Sequence, residues 1–288
     1  MRREEQVGSA ALGYRLFFLI LGLVTFLSFW LLGVRTALGQ LLDSVAMEAV
    51  RERADVGFWA SAALAKVVSE PVLVVGALFV MGIAAVRRRL DLGFRALLFF
   101  VLANGATQIL KVTLSRPDTS VGYTLVNSLP SGHVTVVATM VVALLVVLPK
   151  RAVGPVAVAG SLLSALVGIA VISLGWHRPA DVVAAFAVTI FAAMISLPAG
   201  VEKGGESMGL VYSFAFSAVT LLMSLVATVF VAMDAPATEA GLSHQQLTEL
   251  AVAGSPGTVL ALAAAGLVFS FSALTFASVY RLLLFPPL

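Results

Sequence analysis

Eight apolar runs divide this chain, at about 14–34, 71–86, 94–114, 131–148, 153–174, 179–197, 210–233 and 259–282. A bilayer crossing takes about 20 consecutive apolar residues, and backbone inside hydrocarbon must satisfy its own hydrogen bonds. Runs of this length and number predict an all-α fold, a polytopic transmembrane helix bundle of about eight spans. Composition excludes a soluble alternative. Of the 288 residues 60% are hydrophobic and only 11% charged, against roughly half and a quarter in soluble domains. The first run exceeds a signal-peptide core and has no evident cleavage site, so it reads as a retained span.

Between the first two runs lies a mixed stretch, 35–65, with Gln40, Asp43, Glu48, Arg51, Arg53 and Asp55. Its apolar residues Leu41, Leu42, Val45, Ala46 and Val50 recur at helical spacing, which predicts an amphipathic helix at the interface or capping the bundle. Eight spans put both termini on one side. That side collects Arg2, Arg3, Arg15, Arg87–Arg89, Lys150, Arg151, Lys203 and Arg281. Positive charge marks the cytoplasmic face, so 35–65, 115–130, 175–178 and 234–257 are expected outside. The pI near 9.5 and net charge of +3 thus serve orientation, and no nucleic-acid partner is expected. The chain has no cysteine, which excludes disulfides and thiolate metal sites.

Three polar elements fall on that outer face. Pro130-Ser131-Gly132-His133 opens the fourth run. A helix start offers free amides and partial positive charge to a phosphate, Gly132 permits close backbone approach, and His133 is placed to donate a proton. By itself Pro-Ser-Gly is a plain helix cap; the adjoining histidine points to chemistry. The second element is Lys111 with Arg116-Pro117-Asp118. Asn104, Gln108 and Lys111 share one helical face, and charge at membrane depth is costly enough to suggest function, although a snorkelling lysine is common. The third is Trp176-His177-Arg178-Pro179-Ala180-Asp181, with His177 and Asp181 four apart so that the carboxylate reaches the ring. A helix-start aspartate balancing the dipole is its bland counterpart.

Together these residues resemble the type 2 phosphatidic acid phosphatase superfamily, the lipid phosphate phosphatases, of bacterial integral-membrane type. Its signature runs Lys-x6-Arg-Pro, Pro-Ser-Gly-His, then Ser-Arg-x5-His-x3-Asp. The second part is intact at 130–133, and His-x3-Asp is intact at 177–181. The resemblance extends from about the second to the sixth span. It implies a six-helix phosphatase core over 1–200, including the segment 35–65, and two additional helices over 201–288. It also implies metal-free phosphoryl transfer without a cofactor. His177 is the nucleophile, Asp181 orients it, and His133 is the acid and then the base. Lys111, Arg116, Arg178 and the amides of Ser131 and Gly132 bind phosphate. Two departures stand out. The family lysine falls at Ile109, two residues before Lys111, an angular offset of about 200° on a helix. The family Ser-Arg falls at Ala170-Val171, which leaves Arg178 as the substitute.

The expected protein is a multi-pass phosphatase of the bacterial inner (plasma) membrane, with its site facing outward. Its partners are the bilayer and a lipid phosphate: a polyprenyl phosphate or diphosphate, phosphatidate, or phosphatidylglycerol phosphate. The last two spans offer a surface for a homo-oligomer or an envelope-synthesis partner. The missing arginine motivates an alternative, a catalytically impaired lipid-phosphate binder serving as an accessory subunit. A transporter is weaker, since the charges lie near span ends rather than at the midplane.

Overall fold

The computed structural model describes residues 2–54, 63–64, 66, 69–119, 126–200, 208–233, 244–252 and 254–284. Lys203, much of 55–68 and the stretch 234–243 lie outside the described residues. Helices α1 (Arg2–Ser28), α2 (Ala37–Arg53), α3 (Glu70–Val86), α4 (Leu90–Thr113) and α5 (Gly132–Val147) form the first half. Then come α6 (Lys150–Ser173), α7 (Pro179–Ser196), α8 (Met208–Met233), α9 (His244–Val252) and α10 (Gly254–Leu283). A π-helical segment, Phe29–Val34, continues α1. All described regular structure is helical, as hydrocarbon demands of open chains.

Among the described residues six helices are long and apolar enough to cross a membrane: Ser9–Val34, Leu90–Thr113, Lys150–Ser173, Pro179–Ser196, Leu210–Met233 and Ser255–Leu283. The second and fourth runs give shorter apolar helices, Pro71–Val86 and Gly132–Val147. At 1.5 Å per residue the 16 residues of α5 cover only about 24 Å of a roughly 30 Å hydrocarbon core. Helix α5 is thus too short to cross that core by itself.

Chain direction sorts the two ends of the bundle. At one end Arg15 donates to the Met194 and Leu197 carbonyls at 2.5 and 2.6 Å, and Gly200 donates to Leu282. These bonds satisfy the orphan carbonyls that close α7 and α10. At the other end lie α2, the loop with Arg116, and the starts of α5 and α7. Helix α2 caps this end, packed against α10, α9, α6 and α7. It is buried along most of its length, polar Gln40, Asp43, Ser44 and Glu48 included. Helix α10 also runs through the bundle, against α8, α6, α7 and α2, and places Val268, Phe271 and Phe276 in the main core. Helix α8 keeps an outer apolar face of Val219, Leu222, Met223 and Val226.

Small residues let these helices approach. A Cβ on Gly160 would sit 2.2 Å from the Val141 side chain, and one on Gly168 would sit 2.9 Å from both Val182 and Val268. Both positions therefore require glycine for α6 to seat between its neighbours, the packing device of membrane helices.

Candidate active site

The turn from α6 into α7 is built by its backbone. Helix α6 ends at Ser173, and Gly175 follows at φ +69°, a left-handed position that glycine adopts without strain. Gly175 donates to Ile172, and Trp176 to Val171, the paired bonds of a Schellman ending. His177 N–H also donates to the Val171 carbonyl at 3.1 Å. Proline at the first position of α7 then starts the new helix. His177 is thereby fixed between two helices before any side-chain contact is made.

Asp181 gathers that turn. Its Oδ2 accepts the Arg178 N–H at 2.9 Å and the Ser128 hydroxyl at 2.7 Å, and lies 3.3 Å from His177 Nδ1. With both side chains buried, the carboxylate holds the Nδ1–H tautomer and leaves Nε2 free. The start of α5 is tied to the same residue, since Ser131 N–H donates to the Asp181 carbonyl at 2.9 Å. The Ser131 hydroxyl accepts from Val134 N–H, a helix cap. His133, two residues on, faces His177 with ring centroids 6.2 Å apart, and its other side meets Trp176 at 5.3 Å.

The cations converge here as well. Arg116 is 7% exposed and Arg178 3%, and neither has a carboxylate partner in ion-pair range. All three guanidinium nitrogens of Arg116 and the Nε of Arg178 are buried without a hydrogen-bond partner. One Arg178 nitrogen is 3.5 Å from Ser128 Oγ. Burial lowers the Arg116 guanidinium from its ordinary value, with Arg178 adding to the drop; it still stays a cation. Buried charge of this kind calls for an anion. Lys111 reaches the same place: its Nζ is 3.5 Å from where a Cβ on Gly132 would stand. Helix α4 is regular through Thr113, and Ile109, the position of the family lysine, is 62% exposed on its outer face. The register of this helix therefore turns residue 111, not 109, toward α5. On the same face Asn104 donates to Thr139 Oγ1 and Thr107 to Thr135 Oγ1, locking α4 to α5. Val171, at the family arginine position, is wholly buried and contributes only its carbonyl.

Three contributors were not singled out from sequence. Ser128 gave no signal beyond its place in a polar loop. Gln40 donates to the Pro117 carbonyl at 2.9 Å and so holds the loop of Arg116 against α2. Asp43 accepts Ala180 N–H on Oδ1 at 2.9 Å, while its Oδ2 is buried without a partner. Burial pushes this carboxyl up to about 7; Asp181 adds to the rise, and Arg178, the Ala180 amide and Arg116 oppose it.

This shift makes stability depend on pH. From the ordinary value of 3.8 up to about 7, the folded protein holds a proton that the unfolded chain has lost. Stability contributed by neutral Asp43 is thus full below about pH 4 and declines as pH rises through 7. Asp43→Asn keeps an acceptor for Ala180 and removes the charge. It is expected to raise the thermal midpoint in detergent at pH 8 and barely alter it at pH 4. No gain at pH 8 would contradict a buried, costly charge.

Residues 92–203 match the model of the PAP2 superfamily. The match starts inside α4, one helix later than the motif resemblance extended, and runs past the end of α7. It therefore contains Lys111, Arg116, Pro130–His133 and His177–Asp181. No curated protein and no solved structure matches the chain. Over this segment the chain is similar to the PAP2 superfamily, whose members are phosphatases, and the match is consistent with membership.

Proposed function

We propose that this protein hydrolyses a phosphomonoester or diphosphate of an amphiphilic lipid through a phosphohistidine, on the outer face of a bacterial plasma membrane. The observation that carries the reading is the pair of His177 and His133, with Asp181 behind the first and two buried arginines beside them that keep guanidinium nitrogens without a partner.

In the first step His177 Nε2 attacks the terminal phosphorus, the bond from that phosphorus to the bridging oxygen breaks, and His133 protonates the departing oxygen, the lipid alkoxide of a monoester or the lipid phosphate of a diphosphate. Asp181 stabilises the cationic ring that results. In the second step His133 takes a proton from water, the water oxygen attacks phosphorus, and the phosphorus–nitrogen bond breaks to release inorganic phosphate. Arg116, Arg178, Lys111 and the amides of Ser131 and Gly132 hold the non-bridging oxygens. Preorganised positive charge is the main catalytic device in such a transfer. We read 1–200 as the catalytic core and 201–288 as its addition. A polyprenyl phosphate or diphosphate, phosphatidate, or phosphatidylglycerol phosphate meets the requirement for an anionic head on an apolar tail. Outward orientation follows from Arg87–Arg89, Lys150 and Arg151 at the opposite end.

Val171 in place of the family arginine favours one other reading, a lipid-phosphate binder without turnover. Phosphate release separates the two. Purified protein in sealed vesicles with the α2 end outward is expected to release phosphate from a short-chain lipid phosphate added outside. Excess EDTA should leave the rate unchanged, and orthovanadate, a mimic of pentacoordinate phosphorus, should abolish it. Loss of activity in EDTA, restored by a divalent ion, would overturn the histidine mechanism. Release only from inverted vesicles would overturn the orientation, and binding without release would favour the accessory role.

A further inference from the structure

Behind the first turn of α7, on the side facing α2, the bundle leaves a cleft of about 580 Å³. It is within the size range of small-molecule sites and almost wholly apolar. One wall is the π-helical segment and α2, with Phe29, Gly33 and Asp43; the other comes from α8 and α10, with Thr228 and Ala264. Its inner end is Pro179 and Ala180, the residues that directly follow Arg178.

Three observations give this cleft a use. First, it adjoins the candidate active site: Pro179 and Ala180 in its lining directly follow Arg178, and Asp43 in its wall accepts the Ala180 N–H. Second, Asp43 is 8% exposed, and its Oδ2 has no partner although Oδ1 is bonded to Ala180. An unsatisfied polar atom at the end of an apolar cleft suits a head-to-chain junction. Third, the wall includes the π-helical segment Phe29–Val34, a distortion frequent at functional sites. There Gly33 brings the backbone close to α7, since a Cβ on it would touch that of Ala180 at 3.5 Å. Measured along α10, Leu260 to Leu267 in the lining spans about 10 Å, room for part of a hydrocarbon chain.

We propose that this cleft holds the hydrocarbon chain of the lipid phosphate while its phosphate lies between His133 and His177. The proposal rests on the hydrolytic reading above and gives the helices of 201–288 a role in recognising substrate. A chain passing from bilayer to cleft leaves one apolar medium for another, so the gain is position more than hydrophobic transfer. The cleft therefore acts on lipid substrates and not on phosphate esters that lack a chain.

The test fills the cleft with Thr228→Trp, at a half-buried position of α8, and with Ala264→Phe on the neighbouring helix of the same wall. For a long-chain lipid phosphate KM is expected to rise at least about tenfold with kcat within about twofold of the unmodified protein. Turnover of p-nitrophenyl phosphate should be unaltered, which also certifies the fold. Equal changes for both substrates, or no change for either, would overturn the proposal. If the unmodified protein hydrolyses neither compound, the hydrolytic reading fails on its own account, and binding decides the cleft. Fluorescence of the tryptophan introduced by Thr228→Trp should then be quenched at least about twofold more by a chain-brominated lipid phosphate than by a brominated phosphate-free lipid at equal content. Equal quenching would show ordinary bilayer contact and sink the idea.

Discussion

Replacing His177 by alanine is expected to lower kcat/KM for phosphate release by about 10⁴-fold or more, about 5.4 kcal/mol of transition-state stabilisation. The expectation comes from geometry: the ring is anchored at Nδ1 by Asp181, and its backbone is pinned to Val171. That leaves Nε2 to approach phosphorus without reorganisation. The two histidines should also fail differently. With p-nitrophenyl phosphate, whose leaving group needs little protonation, His133→Ala retains the first step and loses the base for the second. A burst of one p-nitrophenolate per protein, with acid-labile phosphate on the chain, is then expected for His133→Ala and not for His177→Ala. Turnover within tenfold of normal in His177→Ala would exclude this histidine as nucleophile.

The arginines provide the second large effect. Arg178→Ala is expected to lower kcat/KM at least ~100-fold, about 2.7 kcal/mol, and Arg178→Lys to restore only part, since a point charge lacks the bidentate fork. Arg116→Ala should cost at least as much, because every nitrogen of its guanidinium is buried without a hydrogen-bond partner. Stability is expected to move the other way. A buried cation without a carboxylate partner is itself destabilising. Arg116→Met should therefore keep or raise the thermal midpoint while activity collapses. An arginine that merely anchored a helix end at the headgroups would show the reverse, near-normal turnover with reduced stability.

The fold was legible because hydrocarbon imposes one rule on every spanning segment, and apolar runs report it directly. Both histidines and Asp181 were legible too, since their motifs are contiguous and lie at helix starts. Other parts depend on which way a helix is rotated, which no local pattern records. Lys111 stood at the wrong spacing for the family signature, yet the turn of α4 sends Ile109 outward and residue 111 toward Gly132. Asp43 sat among the polar residues of the mixed stretch 35–65, read as an amphipathic helix at the interface or capping the bundle. Its burial appears only once α7, α10 and the Arg116 loop close around α2. The deep placement of α10 was equally hidden, because an apolar helix looks the same whether lipid or protein surrounds it.

The link between Ser131 N–H and the Asp181 carbonyl, like that between His177 N–H and Val171, is made by main chain alone. These two links at the mouth of the bundle thus need none of the side chains that would perform catalysis. Inheritance of the architecture is thereby separated from inheritance of the reaction. A lineage can exchange His133, Arg116 or Arg178 one at a time, falling silent or acquiring a new anionic ligand, while descendants keep the same helices in the same places. Among such relatives, overall shape would be a poor guide to who still turns over substrate, and the few side chains projecting from this shared frame would be the ones to compare.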